Sequence, residues 1–332
     1  MRFKTNLAAD GALVLTTFVW GTTFFMARGL LDAESPGHWP PLAYMFARFG
    51  GAALILAVLF WRQLAGASAQ AWRAGATLGL LMGAGFGLQA AGQVYTTASK
   101  SAFVTGLTTP LVPFVAYAVS RVRPRWENLV GVALASAGGL LILAPQPGAG
   151  VNFGDLLTLV STALFALHIT LLSVYARRFE VRQITVLQIA SAAVFITIAW
   201  VSLRASAAAF GAAALPAFAA REAAPITFSW GIVAQLFYLA AVATVAVFFL
   251  WTWGQSRTSA THAAVIFSLE PVFATAFAVA ARGSHEEWLG ARGWAGAGLV
   301  FAGIIVSELR WGKRREGDLE EESEVGAAGA GA

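Results

Sequence analysis

Long apolar runs, separated by short intervals that hold most of the charges, are the feature of this sequence that most limits its fold. Hydrophobic residues make up 58% of the 332 residues and charged residues only 12%, about half the usual charged share of a soluble domain. An apolar stretch of about 20 residues crosses the hydrocarbon core of a bilayer as a helix. We therefore expect an all-α membrane protein with about ten transmembrane helices. The predicted spans lie near 11–30, 42–61, 74–94, 101–120, 127–144, 155–176, 184–203, 229–252, 259–280 and 293–309.

The basic residues are distributed unequally between alternate loops. Most of the 22 Lys and Arg residues lie near the two termini and in the loops on the same side, such as Arg121, Arg123 and Arg125. Because Lys and Arg favour cytoplasmic loops, we expect both termini in the cytoplasm. The charges lie between apolar runs, so the net +5 does not indicate a nucleic-acid partner. Residues 204–228 form one long connector, and 310–332 is predicted to be a disordered cytoplasmic tail.

The two halves of the chain share landmarks at equal spacing. Asp10 and Asp155 each open an apolar run, precede an aromatic residue by ten positions, and are most simply helix N-caps. Residues 101–110 also match 262–271, each stretch ending in proline. An odd number of spans per half places the second copy upside down, as in many secondary transporters. The alternative is that apolar helices merely resemble one another in composition. The predicted units are 1–145 and 150–309.

Several short motifs resemble those of a known family. They are Trp20-Gly21-Thr22-Thr23-Phe24, Gly154-Asp155-Leu156-Leu157, Thr258-Ser259-Ala260-Thr261-His262-Ala263-Ala264 and Ser268-Leu269-Glu270-Pro271-Val272-Phe273. Together they resemble the EamA branch of the drug/metabolite transporter superfamily, over about Asp10 to Leu309. The resemblance implies ten helices in a five-plus-five inverted repeat, a central cavity, and export or exchange of small metabolites, often amino acids. The chain departs from the pattern at Phe165-Ala166, which stands where the first half has Trp20-Gly21, and in its long connector.

Two titratable groups lie deep inside predicted spans. An unpaired charge at that depth costs at least ~2.5 kcal/mol. Glu270 is therefore predicted either to carry a proton or bind a cationic substrate group, or to be a neutral acid bonded to backbone near Pro271. His168 is either a substrate or proton site or an interhelical hydrogen-bonding group. No second His or carboxylate stands at metal-ligand spacing beside it, so neither a metal nor another cofactor is expected.

Prolines interrupt two predicted spans near mid-bilayer. Pro110 and Pro113 in span four, and Pro271 in span nine, lack the N–H that a helix needs, so we expect helix breaks. The released carbonyl groups are tolerated at that depth only where they contact protein or line a cavity. Thr105 and Thr109 share a helix face. They are predicted either to line this cavity or to seal a kink with their hydroxyls.

Other polar and aromatic side chains at this depth complete the predicted substrate pocket. They are Gln89, Gln93, Gln235, Tyr238, Trp20, Phe24 and Trp251. Trp20 lies too deep for the interfacial aromatic belt, so its indole N–H needs a partner. Lys100, at the outer end of span four, is either an attractor for anions or a snorkelling anchor.

These features favour a secondary transporter of the bacterial plasma (inner) membrane that moves a small, amino-acid-like molecule by alternating access. No Walker motif is present, so the energy is expected from a proton gradient acting through Glu270 or His168, or from the substrate gradient. The alternative is an intramembrane enzyme or sensor on the same bundle. An enzyme needs clustered catalytic groups, and the chain has no cysteine to supply a thiol. The sequence carries no signal for an oligomeric state.

Overall fold

Helices built from the apolar runs account for the regular structure of this protein. The computed structural model describes residues 7–31, 38–96, 101, 104–121, 123–143, 152–282 and 290–308, and no β-strand occurs among them. The helices are α1 (Leu7–Leu31), α2 (Pro41–Ala65), α3 (Ala69–Gln93), α4 (Thr108–Ser120), α5 (Trp126–Leu143), α6 (Phe153–Arg178), α7 (Val181–Phe210), α8 (Trp230–Gln255), α9 (Ala260–Phe267), α10 (Glu270–Arg282) and α11 (Gly290–Glu308). Lys100 and the predicted tail 310–332 lie outside the described residues.

Length and composition suit these helices to a bilayer. Helices α1, α2, α3, α6, α7 and α8 are long and apolar enough to cross a membrane, and Val104–Ser120, Ala260–Ala274 and Trp294–Ser307 are shorter apolar stretches. Large apolar side chains, among them Leu54, Val58 and Ile198, are exposed on the outside of the bundle. Such an apolar exterior suits contact with lipid. The chain is therefore an all-helical membrane protein, as the sequence predicts.

Small residues allow close approach between several helices. A Cβ added at Gly79 of α3 would lie 2.6 Å from the Gln188 carbonyl oxygen of α7. A Cβ added at Gly138 of α5 would lie 2.5 Å from the Gly296 carbonyl oxygen of α11. Backbones that approach this closely gain van der Waals contact, which drives helix association inside a membrane. These glycines hold the α3–α7 and α5–α11 pairs together.

Two helical runs are interrupted near the predicted prolines. A turn at Leu107 separates residues 104–106 from α4, three positions before Pro110. A turn at 268–269 separates α9 from α10, just before Pro271. Hydrogen bonds to a carbonyl three residues earlier, of 3.1 and 3.0 Å, close these turns. Pro113, which was also predicted as a break, lies inside α4, because the loss of one backbone hydrogen bond there does not end the helix.

The two repeated aspartates are not the N-caps that the sequence suggests. Asn152 is the N-cap of α6, and its side chain accepts from the Asp155 N–H at 3.0 Å. The Asp155 carboxylate in turn accepts from the Asn152 N–H at 2.8 Å, which completes a capping box. Asp10 lies inside α1, because that helix already begins at Leu7.

The 204–228 connector is folded against the start of α2. Helix α7 extends to Phe210, beyond its predicted end, and short helical turns follow at Ala212–Ala214, Ala217–Ala220 and Arg221–Ala223. The Trp39 indole N–H donates to the Thr227 carbonyl at 2.8 Å. The connector therefore covers the end of the bundle at which α2 begins.

Glu222 fastens this connector to α2. Its carboxylate accepts from the Leu42 N–H at 2.9 Å, one of the unpaired donors at the start of that helix. Burial raises the pKa of Glu222 to about 7, although the backbone N–H groups of Leu42 and Ala43 and the Arg204 charge act in the opposite direction. The Arg204 guanidinium holds the connector by donating to the Glu222 carbonyl at 2.9 Å.

Candidate functional site

A cavity lies between α1, α3, α6, α8 and the two interrupted helical runs. The predicted site residues in its wall are Trp20, Phe24, Gln89, Thr105, Thr109, Trp251, Glu270 and Pro271. The other wall residues are Thr23, Phe86, Gly106, Thr108, Phe165, Ile169, Ala264 and Phe267.

One part of the cavity wall is aromatic. The Trp20 ring meets Trp251 edge-on at a centroid distance of 4.9 Å, and it packs against Phe267 at 5.9 Å. The Trp20 indole N–H donates to the Ala243 carbonyl at 3.1 Å. Ala243 lies in a π-helical segment of α8, Ala241–Ala246. Insertions of this type recur at functional sites. Here the segment gives the deep indole N–H the partner that it needs.

The polar part of the wall joins the two interrupted runs to their neighbours. The Gln89 amide donates to the Thr105 hydroxyl at 3.0 Å, which links α3 to the turn before α4. The Thr109 hydroxyl donates to the Ala264 carbonyl at 3.0 Å, which links α4 to α9. Thr105 and Thr109 therefore line the cavity and also stabilise the breaks with their hydroxyls. The two predicted roles, lining a cavity and sealing a kink, are thus compatible.

Glu270 begins α10 directly after the break at 268–269, and its side chain lines the cavity. Within the described residues, its carboxyl group makes no hydrogen bond and no ion pair within 4.0 Å. The hydrogen bond from Glu270 to backbone near Pro271, which the sequence offered as an alternative role, is therefore not formed among these residues. The charge that acts on it is the Arg48 guanidinium. A carboxyl group in this position is available to a bound molecule.

Arg48 of α2 is a residue that the sequence reasoning passed over. It is only 2% exposed and lines a second, smaller cavity. That cavity shares Thr23, Phe24 and Gln89 with the first one, so the two adjoin. The available signal was a lone arginine inside an apolar run, since an intramembrane charge is a functional candidate by default.

Sequence comparisons place the chain among known transporters. The profile of the EamA-like transporter family matches residues 7–144 and, separately, residues 152–309. The chain belongs to this family. The resemblance inferred from the short motifs is thereby confirmed.

Individual relatives of this EamA-like transporter agree with that class. One, named an uncharacterized transporter, from Archaeoglobus fulgidus, is 29% identical over 307 residues, which is 92% of this chain and 87% of the relative. The uncharacterized inner membrane transporter YedA of Escherichia coli (strain K12) is 30% identical over 180 residues, 54% of this chain and 56% of YedA. A protein of known crystal structure shares the fold with a TM-score of 0.66 at 16% identity, over 90% of this chain and 95% of its own. The protein is thus a multi-pass membrane transporter for a small molecule.

Some predicted pocket residues of this EamA-like transporter lie outside the main cavity. Gln93 lines the second cavity instead. The Gln235 amide donates to the Met26 carbonyl at 2.7 Å, and the Tyr238 and Thr22 hydroxyls are 2.9 Å apart. Both side chains therefore fasten α8 to α1.

His168 is fully buried behind the cavity wall rather than in it. Its Nε2 lies 3.0 Å from the Gln188 side-chain oxygen, and the Gln188 amide donates to the Thr252 hydroxyl at 3.2 Å. Its ring packs against Trp251 at 5.0 Å, while its Nδ1 has no hydrogen-bond partner among the described residues. His168 thus links α6 to α7 directly beneath an aromatic wall residue.

A second histidine cluster was not anticipated. His262 Nε2 lies 3.2 Å from the Asp10 carboxylate, and its Nδ1 lies 3.0 Å from the Ser307 hydroxyl. The cluster joins the starts of α1 and α9 to the end of α11. Because these residues lie at the ends of three separate helices, spacing along the chain gives no signal for the contact.

Proposed function

We propose that this EamA-like transporter carries a small, amino-acid-like metabolite by alternating access, in export or exchange, around the aromatic cavity that contains Glu270. The observation that carries the proposal is a carboxyl group, unpaired within the described residues, that faces a cavity with six aromatic side chains in its wall. A carboxylate attracts a cationic amino group, and aromatic rings accept both apolar and cationic groups. Amino acids and related amines combine these features.

Alternating access requires two halves that can rock about the site, and we propose a five-plus-five inverted repeat of 1–145 and 150–309. This arrangement has ten spans, of which α9 and α10 together form the ninth. Reciprocal helix packing supports it. Helix α1 packs on α8, α9 and α10, while its counterpart α6 packs on α3 and α4. Helices α2 and α5 each pack on their own counterparts, α7 and α11. The separate family matches to each half are consistent with the same division.

The repeated aspartates also occupy reciprocal positions. Asp10, at the start of the first repeat, contacts His262 at the start of span nine. Asp155, at the start of the second repeat, accepts from the Thr96 hydroxyl at 2.7 Å, just before span four. In the proposed topology these contacts lie at opposite ends of the helix bundle, one towards each side of the membrane, where an alternating-access transporter needs gates. We therefore propose that each contact closes one end of the transport path.

The proposed orientation places both termini in the cytoplasm of a bacterial inner membrane. Trp39 and Thr227, which are in contact, lie in the connectors after spans one and seven. Tyr95 and Asn152, also in contact, lie in the connectors after spans three and five. All four connectors follow odd-numbered spans, so they belong to one end of the bundle. The other connectors and the termini hold most of the basic residues. Under the positive-inside rule the latter end is cytoplasmic.

A proton gradient is the proposed energy source, with Glu270 as the coupling group. Glu270 faces the cavity directly, so a proton and a cationic substrate can compete for the same carboxylate. His168 has a ring nitrogen without a hydrogen-bond partner in the described part of the chain, but it lies behind Trp251, one layer from the cavity. It is the second coupling candidate.

The test uses purified protein in proteoliposomes and a panel of amino acids and amines. Wild-type protein should accumulate at least one panel member under a pH gradient and exchange it by counterflow. Glu270→Gln should lose gradient-driven uptake yet retain counterflow at saturating concentration, because glutamine keeps the size and can still accept a hydrogen bond. Glu180→Gln, at an exposed carboxyl, is the matched control.

The outcomes separate the parts of the proposal. Unchanged gradient-driven uptake in Glu270→Gln would make Glu270 a structural acid. Loss of coupling in His168→Gln alone would move the proton site to His168. Transport of no panel member by the wild-type protein would contradict the amino-acid-like substrate.

A further inference from the structure

Arg48 is a buried cation without an anionic partner. Its side chain lies within α2, seven residues from the helix start, and is 2% exposed. Within the described residues, no carboxylate approaches the guanidinium within 4.0 Å. Its protein contacts are neutral: Nε donates to the Thr244 hydroxyl at 2.9 Å, and Nη2 donates to the Ala243 carbonyl at 3.3 Å. The Arg48 charge reaches the Glu270 carboxyl group, but the two form no ion pair within 4.0 Å. A charge at this depth is costly unless it is closely paired, so we expect a bound molecule to supply a closer anion.

The guanidinium is held in a fixed orientation beside a cavity. It lies over the Phe86 ring at 5.1 Å and near the Phe49 ring at 5.6 Å. Its two hydrogen bonds leave most of its five N–H groups for another acceptor. Oriented guanidinium groups bind planar carboxylates with two parallel hydrogen bonds. Arg48 is therefore prepared for a carboxylate rather than for a cation.

A second unsatisfied donor lines the same cavity. Tyr44 is fully buried beside the Arg48 guanidinium, and its O–H has no hydrogen-bond acceptor among the described residues. Tyr44, Arg48 and Gln93 all belong to the wall of the smaller cavity. A buried hydroxyl without a partner is unfavourable, and a bound acceptor removes the penalty.

The two cavities present opposite charges to one bound molecule. They share Thr23, Phe24 and Gln89, while Arg48 faces the smaller one and Glu270 the larger one. We propose that Arg48 and Tyr44 form a carboxylate subsite, so that the transported molecule carries a carboxylate at Arg48 and a cationic group at Glu270. This inference rests on the proposed function. The proposed function assigns only the cationic group of the substrate, to Glu270, and the subsite adds a place for its carboxylate. The smaller volume of the Arg48 cavity places the rest of the substrate in the larger cavity.

Matched ligands test the subsite. The probes are L-leucine and L-phenylalanine, each with its amide and its decarboxylated amine, assayed by competition for counterflow in proteoliposomes. Wild-type protein should bind each amino acid at least 10-fold more tightly than its amide or amine, because only the acid offers a carboxylate. Arg48→Gln should weaken amino-acid binding by roughly 30-fold or more and abolish that preference.

A conservative pair of variants distinguishes binding from folding. Tyr44→Phe keeps the buried ring and removes only a hydroxyl whose O–H has no acceptor among the described residues, so folding should be preserved. It should weaken amino-acid binding by about 10-fold while leaving amine binding unchanged. Tyr95→Phe removes another buried, unpartnered hydroxyl outside the cavity and is the control. An equal effect of Tyr44→Phe on acids and amines would overturn the subsite.

The proposed function can survive failure of the subsite. Amines that bind as well as the acids, and depend on Glu270 but not on Arg48, would leave Arg48 a structural group that holds α8. That result keeps the transporter and rejects the inference. If neither amino acid binds, the comparison is repeated with the amino acid that the transport panel identifies, and transport of no panel member rejects both the subsite and the amino-acid-like substrate.

Discussion

Replacement of Trp20 by alanine tests whether this side chain contacts the substrate or serves only in the hydrophobic core. The indole ring lines the cavity, yet it is only 7% exposed and packs against Trp251 at 4.9 Å and Phe248 at 5.6 Å. Its N–H donates to the Ala243 carbonyl. The side chain therefore contributes both to the fold and, in our account, to the surface that holds the substrate.

The two contributions have different magnitudes. Truncation of a buried Trp to Ala costs about 3–5 kcal/mol of folding free energy. The hydrogen bond to Ala243 accounts for about 1 kcal/mol of that amount. Trp20→Phe removes this bond and part of the ring but keeps an aromatic group, so it should cost less than Trp20→Ala. If the ring also contacts the substrate, Trp20→Ala should weaken binding by about 1–3 kcal/mol, or roughly 5- to 150-fold.

Binding and thermal unfolding are measured on the same purified variants, with the amino acid that gives the strongest counterflow. Trp20→Phe should lower the melting temperature slightly and bind within a few-fold of wild type. Trp20→Ala should lose both stability and affinity. Trp230→Ala, at a tryptophan that is 89% exposed, should change neither. Loss of stability in Trp20→Ala with unaltered affinity would refute the pocket assignment.

Three further predictions concern packing, pH and topology. Gly138→Ala should destabilise the protein by about 1–3 kcal/mol because the added Cβ would clash with α11. The control is Gly139→Ala, whose Cβ would meet no described atom of another segment within 4 Å and should not destabilise the protein. Equal melting temperatures of the two variants would contradict this packing. Between pH 4.5 and 7 folded Glu222 binds more protons than the unfolded chain, so stability should fall as the pH rises, by on the order of 3 kcal/mol. Glu222→Gln should flatten that profile in melting experiments. In intact cells, a cysteine at Ala213 should react with an impermeant thiol reagent and one at Ala69 should not; the reverse pattern would invert the topology.

The sequence predicted the helices better than the directions in which their side chains point. Depth in the bilayer follows from counting along an apolar run, and it placed Trp20 and Glu270 near the cavity. Rotation about the helix axis does not follow in the same way, because lipid and protein interior are both apolar. Gln89 and Gln235 are both deep, yet Gln89 lines the cavity and Gln235 bonds to the Met26 carbonyl.

Other features depend on contacts between distant segments. The π-helical segment at Ala241–Ala246 lies in an ordinary apolar run, and its Ala243 carbonyl meets both Trp20 and Arg48 only after α1, α2 and α8 have packed. The Glu222 contact with α2 likewise joins residues that are far apart in the chain. The prolines, by contrast, act locally, so the breaks before Pro110 and Pro271 were predictable.

Protection of a single cysteine by substrate tests the central claim, that the transported molecule binds in the Glu270 cavity. The chain contains no cysteine, and Thr108 lies in the cavity wall. In Thr108→Cys protein that still transports, a saturating concentration of the transported amino acid should slow thiol labelling at least several-fold, because the molecule covers the site. A cysteine at Ala213, in the connector, should label at an unchanged rate. Equal labelling of the Thr108→Cys protein with and without a substrate that it transports would contradict the account.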